Sequence, residues 1–363
     1  MNDIKLKNTY VKKLIDRYLI KGLSGMALGL FSTLLIGTII KQIGGLMPNV
    51  WFGQLLIQLG SLATVMTGVG IAVGTAHQLG ASKLVMYSSI LNGLVGAYGA
   101  KLVGGTIITE GGILLSGPGD PMGAFIAAVI GVEIGMLISG KTKLDILLTP
   151  ATTIISGCFA AYKIGVSLAS FTTLLSELIK AAVELQPFLM GIVVSVMMGI
   201  FLTLPISSAA IGVILDLSGI AGGAATAGCA AQMVGFAIMS YRENKVNGLV
   251  AQGLGTSMLQ MPNIIKNPKI WIPPILASAI TGPLTTVVFK LENISTGSGM
   301  GTSGIVGPLL MWQTMSQKST NSLVLLIQIV LICFILPAIL TWIFAEIMRK
   351  KNWIKENDLK LDL

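Results

Sequence analysis

The chain has 363 residues, 53% hydrophobic and 11% charged, with a formal net charge of +9 and a mean hydropathy of +0.84. A soluble protein of this length needs far more charge to cover its surface, so a water-soluble enzyme or binding module is excluded. The 44 glycines fit close packing of membrane helices. The expected fold class is therefore all-α, a polytopic integral membrane protein.

Residues 1–21 carry Lys5, Lys7, Lys12, Lys13, Arg17 and Lys21 against Asp3 and Asp16. They read as a basic amphipathic cytoplasmic lead-in rather than a cleavable leader, which would pass quickly to a short apolar core and a small-residue cleavage site. Windows of about 20 residues with few or no charges mark the spans that follow. They fall near 22–40, 53–76, 84–103, 122–140, 145–168, 187–205, 208–234, 246–262, 270–289 and 322–347, about ten helices in all. The Gly- and Ser-rich stretch 295–317 reads either as an eleventh helix or as a re-entrant segment. Basic residues flank both ends, so both termini are expected in the cytoplasm. That parity favours ten crossings with 295–317 re-entrant. The basic residues lie at chain ends and short loops, so no nucleic-acid partner is expected.

Three blocks recur in order. "YLIKGLSGMALGLFSTL" (18–34) aligns with "FLMGIVVSVMMGIFLTL" (188–204), "VGTAHQLG" (73–80) with "AGCAAQMV" (227–234), and "NGLV" (92–95) with "NGLV" (247–250). These matches predict membrane repeats at 22–168 and 187–317, joined by an interfacial linker helix at 169–186. The last span, 318–347, and a basic tail, 348–363, complete the division. Transporters built from repeats place the substrate near the midplane where the repeats meet.

Polar groups at membrane depth are the site candidates. The single histidine, His77, lies in a run from Gln42 to Ser82 without Asp, Glu, Lys or Arg. The second copy has Ala231 where His77 stands, so any role of the imidazole belongs to one half only. Gln78 and Gln232 are repeat mates, each suited to a sugar hydroxyl or to an interhelical hydrogen bond. Asn92 and Asn247 are a second such pair. Glu133 is a coupling or substrate carboxylate, or one side of an ion pair. Glu110 and Asp120 lie in a Gly/Pro-rich connection as ligands or as solvated loop residues. The broken stretches "LLTPATTIISG" and "NISTGSGMGTSGIVGP" contribute Thr149, Ser295, Thr302 and Ser303.

Other chemistries lack their residues. There is no GxxxxGK[ST] motor motif, no GxSxG nucleophile, and no HExxH or Cys/His cluster, so neither metal nor cofactor is expected. Cys158, Cys229 and Cys333 sit in apolar runs as small hydrophobes.

The basic N-terminus, "GMALGLFSTLLIG", "GTAHQLGA", "NGLVGAYGA" and "STGSGMGTSGIVGP" together resemble the EIIC-type membrane subunits of the bacterial sugar phosphotransferase system. The likeness covers roughly 15–347 and is nearest to the stand-alone EIIC-like branch often labelled toxin-gene regulators. It implies a sugar-translocating subunit of the bacterial plasma membrane, usually a homodimer, working with separate EIIB and EIIA proteins that phosphorylate the sugar. Other EIIC branches contact sugar through a His and a Glu in a "GITE"-like motif. "ITE" at 108–110 matches that motif in part, which offers Glu110, paired with His77, as its counterpart. Two further readings are an ion-coupled secondary transporter using Glu133 or His77, and a solute-sensing membrane regulator of gene expression.

Overall fold

The computed structural model describes residues 11–109, 112–316, 318 and 321–361. The chain divides into two compact units, Met1–Ser170 and Phe171–Leu363.

The first unit is built on α1 (Val11–Gly45), α2 (Trp51–Val65), α3 (Thr67–Gln78), α4 (Lys83–Ala97), α5 (Pro121–Ile138) and the first part of α6 (Asp145–Val183). The connection before α5 contains a short antiparallel pair, Ile108–Thr109 with Gly112–Ile113. Helices α2 and α3 form one bent rod with a 50° break at Met66. Successive rods run antiparallel. Gly25 of α1 meets Gly74 of α3, and Gly29 meets Gly70 four residues on. A methyl group on Gly25 would lie 2.6 Å from the Gly74 carbonyl carbon, so only glycine lets these backbones touch. Between α4 and α5 the crossing points are Gly96 and Gly123. A small core of Ala76, Leu79, Val85 and Val132, closed by Tyr18, fills the end of this unit.

In the second unit, α7 (Pro187–Thr203) is followed by α8 (Ser208–Ile214), α9 (Gly219–Met239), α10 (Tyr241–Val250), α11 (Met261–Lys266), α12 (Pro268–Val288), α13 (Val306–Ser316) and α14 (Ser322–Lys350). Helix α9, "GIAGGAATAGCAAQMVGFAIM", is apolar all round and almost wholly buried, as such a helix must be. It is packed by α7, α12 and α14. The last turns of α6 add Leu175, Ile179 and Ala182 to the core around Val194, Met198 and Ala225. The expected interfacial linker helix, 169–186, thus continues α6 without a break as far as Val183.

Six helices among the described residues are long and apolar enough to cross a membrane, or seven if the bent pair α2–α3 counts as one span. Two windows that read as single spans are interrupted. The run 208–234 breaks after Ile214: Asp216 takes a left-handed φ of 45°, and the amides of Asp216 and Leu217 fold back onto Val213 O and Gly212 O. The run 246–262 breaks at Thr256, which is extended and caps the following turn by accepting from Met258 N. Apolar composition marks the depth of a segment, but the caps that stop a helix are local hydrogen bonds that hydropathy does not register.

The aligned blocks make one recurring contact. Gly25 crosses Gly74, and their aligned positions, Ser195 and Gly228, also cross. The helices concerned run antiparallel in the first unit. In the second they run parallel, since Gly199 meets both Gly228 and Gln232.

Candidate functional site

Three chain breaks in the second unit converge on the middle of α9. The first is the turn between α7 and α8. The second lies between α10 and α11, where Ala251–Gly255 and Ser257–Gln260 replace regular helix. The third is the Gly-rich turn between Ser295–Ser298 and α13. Asn293 donates to Gly307 O (3.0 Å) and Thr226 Oγ1 (2.8 Å), which fastens the two arms of this third break side by side against α9.

Each break is hydrogen-bonded to the other two. Thr203 and Ser257 share a hydroxyl–hydroxyl bond of 2.7 Å. Thr302 donates to Gly253 O at 2.6 Å, and Ser208 donates to Gly299 O at 2.7 Å. All four hydroxyls are buried. Irregular backbone at this depth is tolerated because each break satisfies polar groups on its neighbours.

Gln232 lies beside this junction, fully buried. Its Oε1 accepts from Trp271 Nε1 (2.9 Å) and from Thr203 Oγ1 (3.3 Å). An indole N–H only donates, so the acceptor side of the amide must face Trp271 and the amino group must point away. That Nε2 has no partner among the described residues. An unmet buried donor costs about 1–3 kcal/mol, a standing incentive for an acceptor. The junction therefore gathers an unpartnered amide donor, hydroxyls bonded to their neighbours and an indole N–H, with no ionisable group among these residues.

The other sequence-selected residues are placed differently. Thr302 joins the Gln232 neighbourhood, also touching Met233 Sδ at 3.6 Å. Ser295 and Ser303 are half-buried on the arms of the third break, and Asn247 is exposed on α10. In the first unit His77 is exposed in the last turn of α3, with the chain turning away at Gly80 (φ 75°). Gln78 beside it is half-buried. Asn92 is fully buried, donates to Thr153 O (3.0 Å) and wedges between Gly131 and Gly157, which makes it an interhelical tie. Glu133 accepts from Arg17 Nε at 2.7 Å. Thr149 donates to Asp145 Oδ1 at 2.6 Å within the first turn of α6. Asp120 caps α5, accepting from Met122 N. Glu110 lies outside the described residues.

Thr203, Ser208, Gly253, Ser257 and Trp271 escaped the sequence reading. The breaks that carry the first four were visible as "LPISS" and "GLGTS", but both lie inside or beside apolar windows that read as continuous spans. No group of three His, Cys, Asp or Glu side chains among the described residues is placed to hold a metal.

Fold and junction define a multi-pass membrane protein in which broken helices meet at a buried uncharged site, an arrangement that transporters use for their substrates. Residues 20–361 match the family described as Phosphotransferase system, EIIC. The chain belongs to that family, the sugar-transport membrane subunits that work with EIIB and EIIA proteins. Neither a curated protein nor a solved structure matches it.

Proposed function

We propose that the chain translocates a sugar or sugar-like solute across the bacterial plasma membrane as a homodimer, with both termini cytoplasmic, and that separate EIIB and EIIA proteins phosphorylate the solute. The three broken segments of the second unit act as re-entrant hairpins, and their junction is the solute site. The observation that carries this reading is the unpartnered Nε2 of Gln232, buried among hydroxyls and beside an indole. A sugar ring supplies acceptors for the amide, donors for the carbonyls, and an apolar face for Trp271.

The ion-coupled alternative draws no support from Glu133, whose charge is matched by Arg17. The test is uptake of a labelled panel of hexoses and disaccharides in a host with and without the general phosphotransfer proteins. Uptake that needs those proteins and yields phosphorylated sugar is expected, with half-saturation raised about tenfold in Gln232→Ala, the loss of roughly one hydrogen bond to solute. Unphosphorylated solute accumulating without those proteins would overturn the reading.

A further inference from the structure

After α14 the chain turns back on itself. Asn352 adopts a left-handed φ of 57°, its amide bonding Arg349 O (2.9 Å) while Trp353 N bonds Met348 O (3.0 Å). This closes the helix as glycine usually does, with asparagine supplying the tolerance. Residues 353–361 then lie across α10, the 257–260 turn and α11.

Side-chain amides hold the backbone of this segment. Asn244 grips it twice, donating to Leu359 O (2.7 Å) and accepting from Leu361 N (2.8 Å). Gln260 donates to Leu359 O (3.0 Å), and Asn263 donates to Lys360 O (2.8 Å). Asn267 donates to Trp353 O (2.9 Å) and Asp358 Oδ2 (2.7 Å). Only Ile354 and Leu359 of the segment are buried, while Lys355, Glu356, Asn357 and Lys360 face outward.

The amide chain continues inward. Gln260 Nε2 also donates to Gln252 Oε1 (2.9 Å), and Gln252 in turn reaches Ser240 Oγ (2.8 Å). Gln252 adjoins Gly253, which holds Thr302, and Gln260 closes the turn that begins with Ser257, which holds Thr203. The hairpin between α10 and α11 has little regular structure of its own, only the short turns Ala251–Gly255 and Ser257–Gln260 divided at Thr256, which is extended. Its shape is therefore fixed from its two ends, by the segment 353–361 outside and by the junction inside.

We propose that Trp353–Leu361 is a strap that keeps this hairpin closed over the junction, and that releasing the strap opens the junction on the strap's side of the membrane. The contact is one-sided, made mainly to backbone by side-chain amides, with Asn267 also on Asp358 Oδ2 and Lys269 over the Trp353 ring, and is anchored by two buried side chains, so it detaches as a unit without unfolding the helices. The proposal rests on the junction being the solute site, but its effect on access is read without solute.

The test places a reporter at the junction: Ser257→Cys in the full chain with Cys158→Ala, since Cys229 and Cys333 are fully buried. Reaction with a charged maleimide is followed in detergent micelles. With the strap intact the thiol reacts slowly; adding Asn244→Ala and Leu359→Ser accelerates it about tenfold, as expected if a closed state has lost its main restraint. Asn267→Ala, which removes the two outer strap bonds and the cap on Lys269 N, gives a smaller acceleration of about twofold and guards against misfolding of the double variant. Equal rates in all three folded proteins overturn the strap. Acceleration without protection by any sugar of the panel leaves the strap standing and removes the solute reading instead.

Discussion

Trp271 donates its indole N–H to Gln232 Oε1 at 2.9 Å, and that single bond decides which end of a buried amide is free. The residues are far apart in sequence. Trp271 belongs to the start of α12, Gln232 to the middle third of α9, and the bond ties the two helices where the broken segments meet. It orients a junction donor that has no partner among the described residues.

Trp271→Phe keeps the ring and removes the donor. The variant is expected to lose about 1 kcal/mol of stability, the net value of an ordinary hydrogen bond. The freed amide can then rotate, so sugar affinity should fall several-fold while the protein remains folded. Thermal unfolding in detergent and equilibrium sugar binding check the two effects separately. Unchanged affinity would show that amide orientation does not matter to the solute.

Arg17 and Glu133 form a 2.7 Å pair whose side chains retain 38% and 30% of their exposure. Screening by water limits such a pair to about 1 kcal/mol or less. Glu133→Gln should therefore cost little stability and leave sugar affinity and the pH profile of uptake unaltered. A loss of pH-dependent uptake in this variant would favour ion coupling through Glu133 over the phosphotransferase reading.

Gly25→Ala tests the glycine contact between α1 and α3. The new methyl would sit 2.6 Å from the Gly74 carbonyl carbon and 2.9 Å from Thr75 Cα, both backbone atoms that cannot swing aside. Overpacking of this kind costs about 1–3 kcal/mol. A lower melting temperature and reduced yield of folded protein are expected, whereas a Gly45→Ala control, with nothing within 4 Å of the added carbon, should behave as the parent.

Asp120 caps α5 from a largely desolvated position, and burial holds its carboxyl above the usual carboxylate range despite the opposing bond from Met122 N. The folded state therefore binds this proton more tightly than the unfolded chain. The stability linked to it is full below the unfolded pKa and is lost as pH rises through the folded value. Asp120→Asn retains an acceptor for the cap and removes the charge. It should match or exceed the parent's stability at neutral pH, with the advantage shrinking as the medium is acidified. A widening advantage in acid would contradict the assignment, and unfolding curves at a series of pH values read it directly.

Much of this was legible in the sequence. Charge scarcity and long apolar runs determined that the chain is an all-helical, multi-pass membrane protein, because hydrocarbon admits no unpaired backbone and few charges. Its motifs pointed to the EIIC family. Gln232 and the Gly/Ser-rich stretch around Thr302 were visible as polar groups in apolar surroundings. Other features depended on contacts that a linear reading does not contain. The windows 208–234 and 246–262 are apolar on average despite Asp216 and Thr256, and it is the capping bonds there that stop the helices. Asn92 and Gln232 are both buried amides with equal claims in the sequence. The structure separates them: Asn92 Nδ2 finds Thr153 O, and Gln232 Nε2 finds nothing. His77 stands in a long uncharged run, yet α3 ends at Gln78, where the chain turns through Gly80 and exposes the imidazole. Composition sets where a residue can live at low cost; which buried group is left wanting a partner is decided only when the helices are brought together.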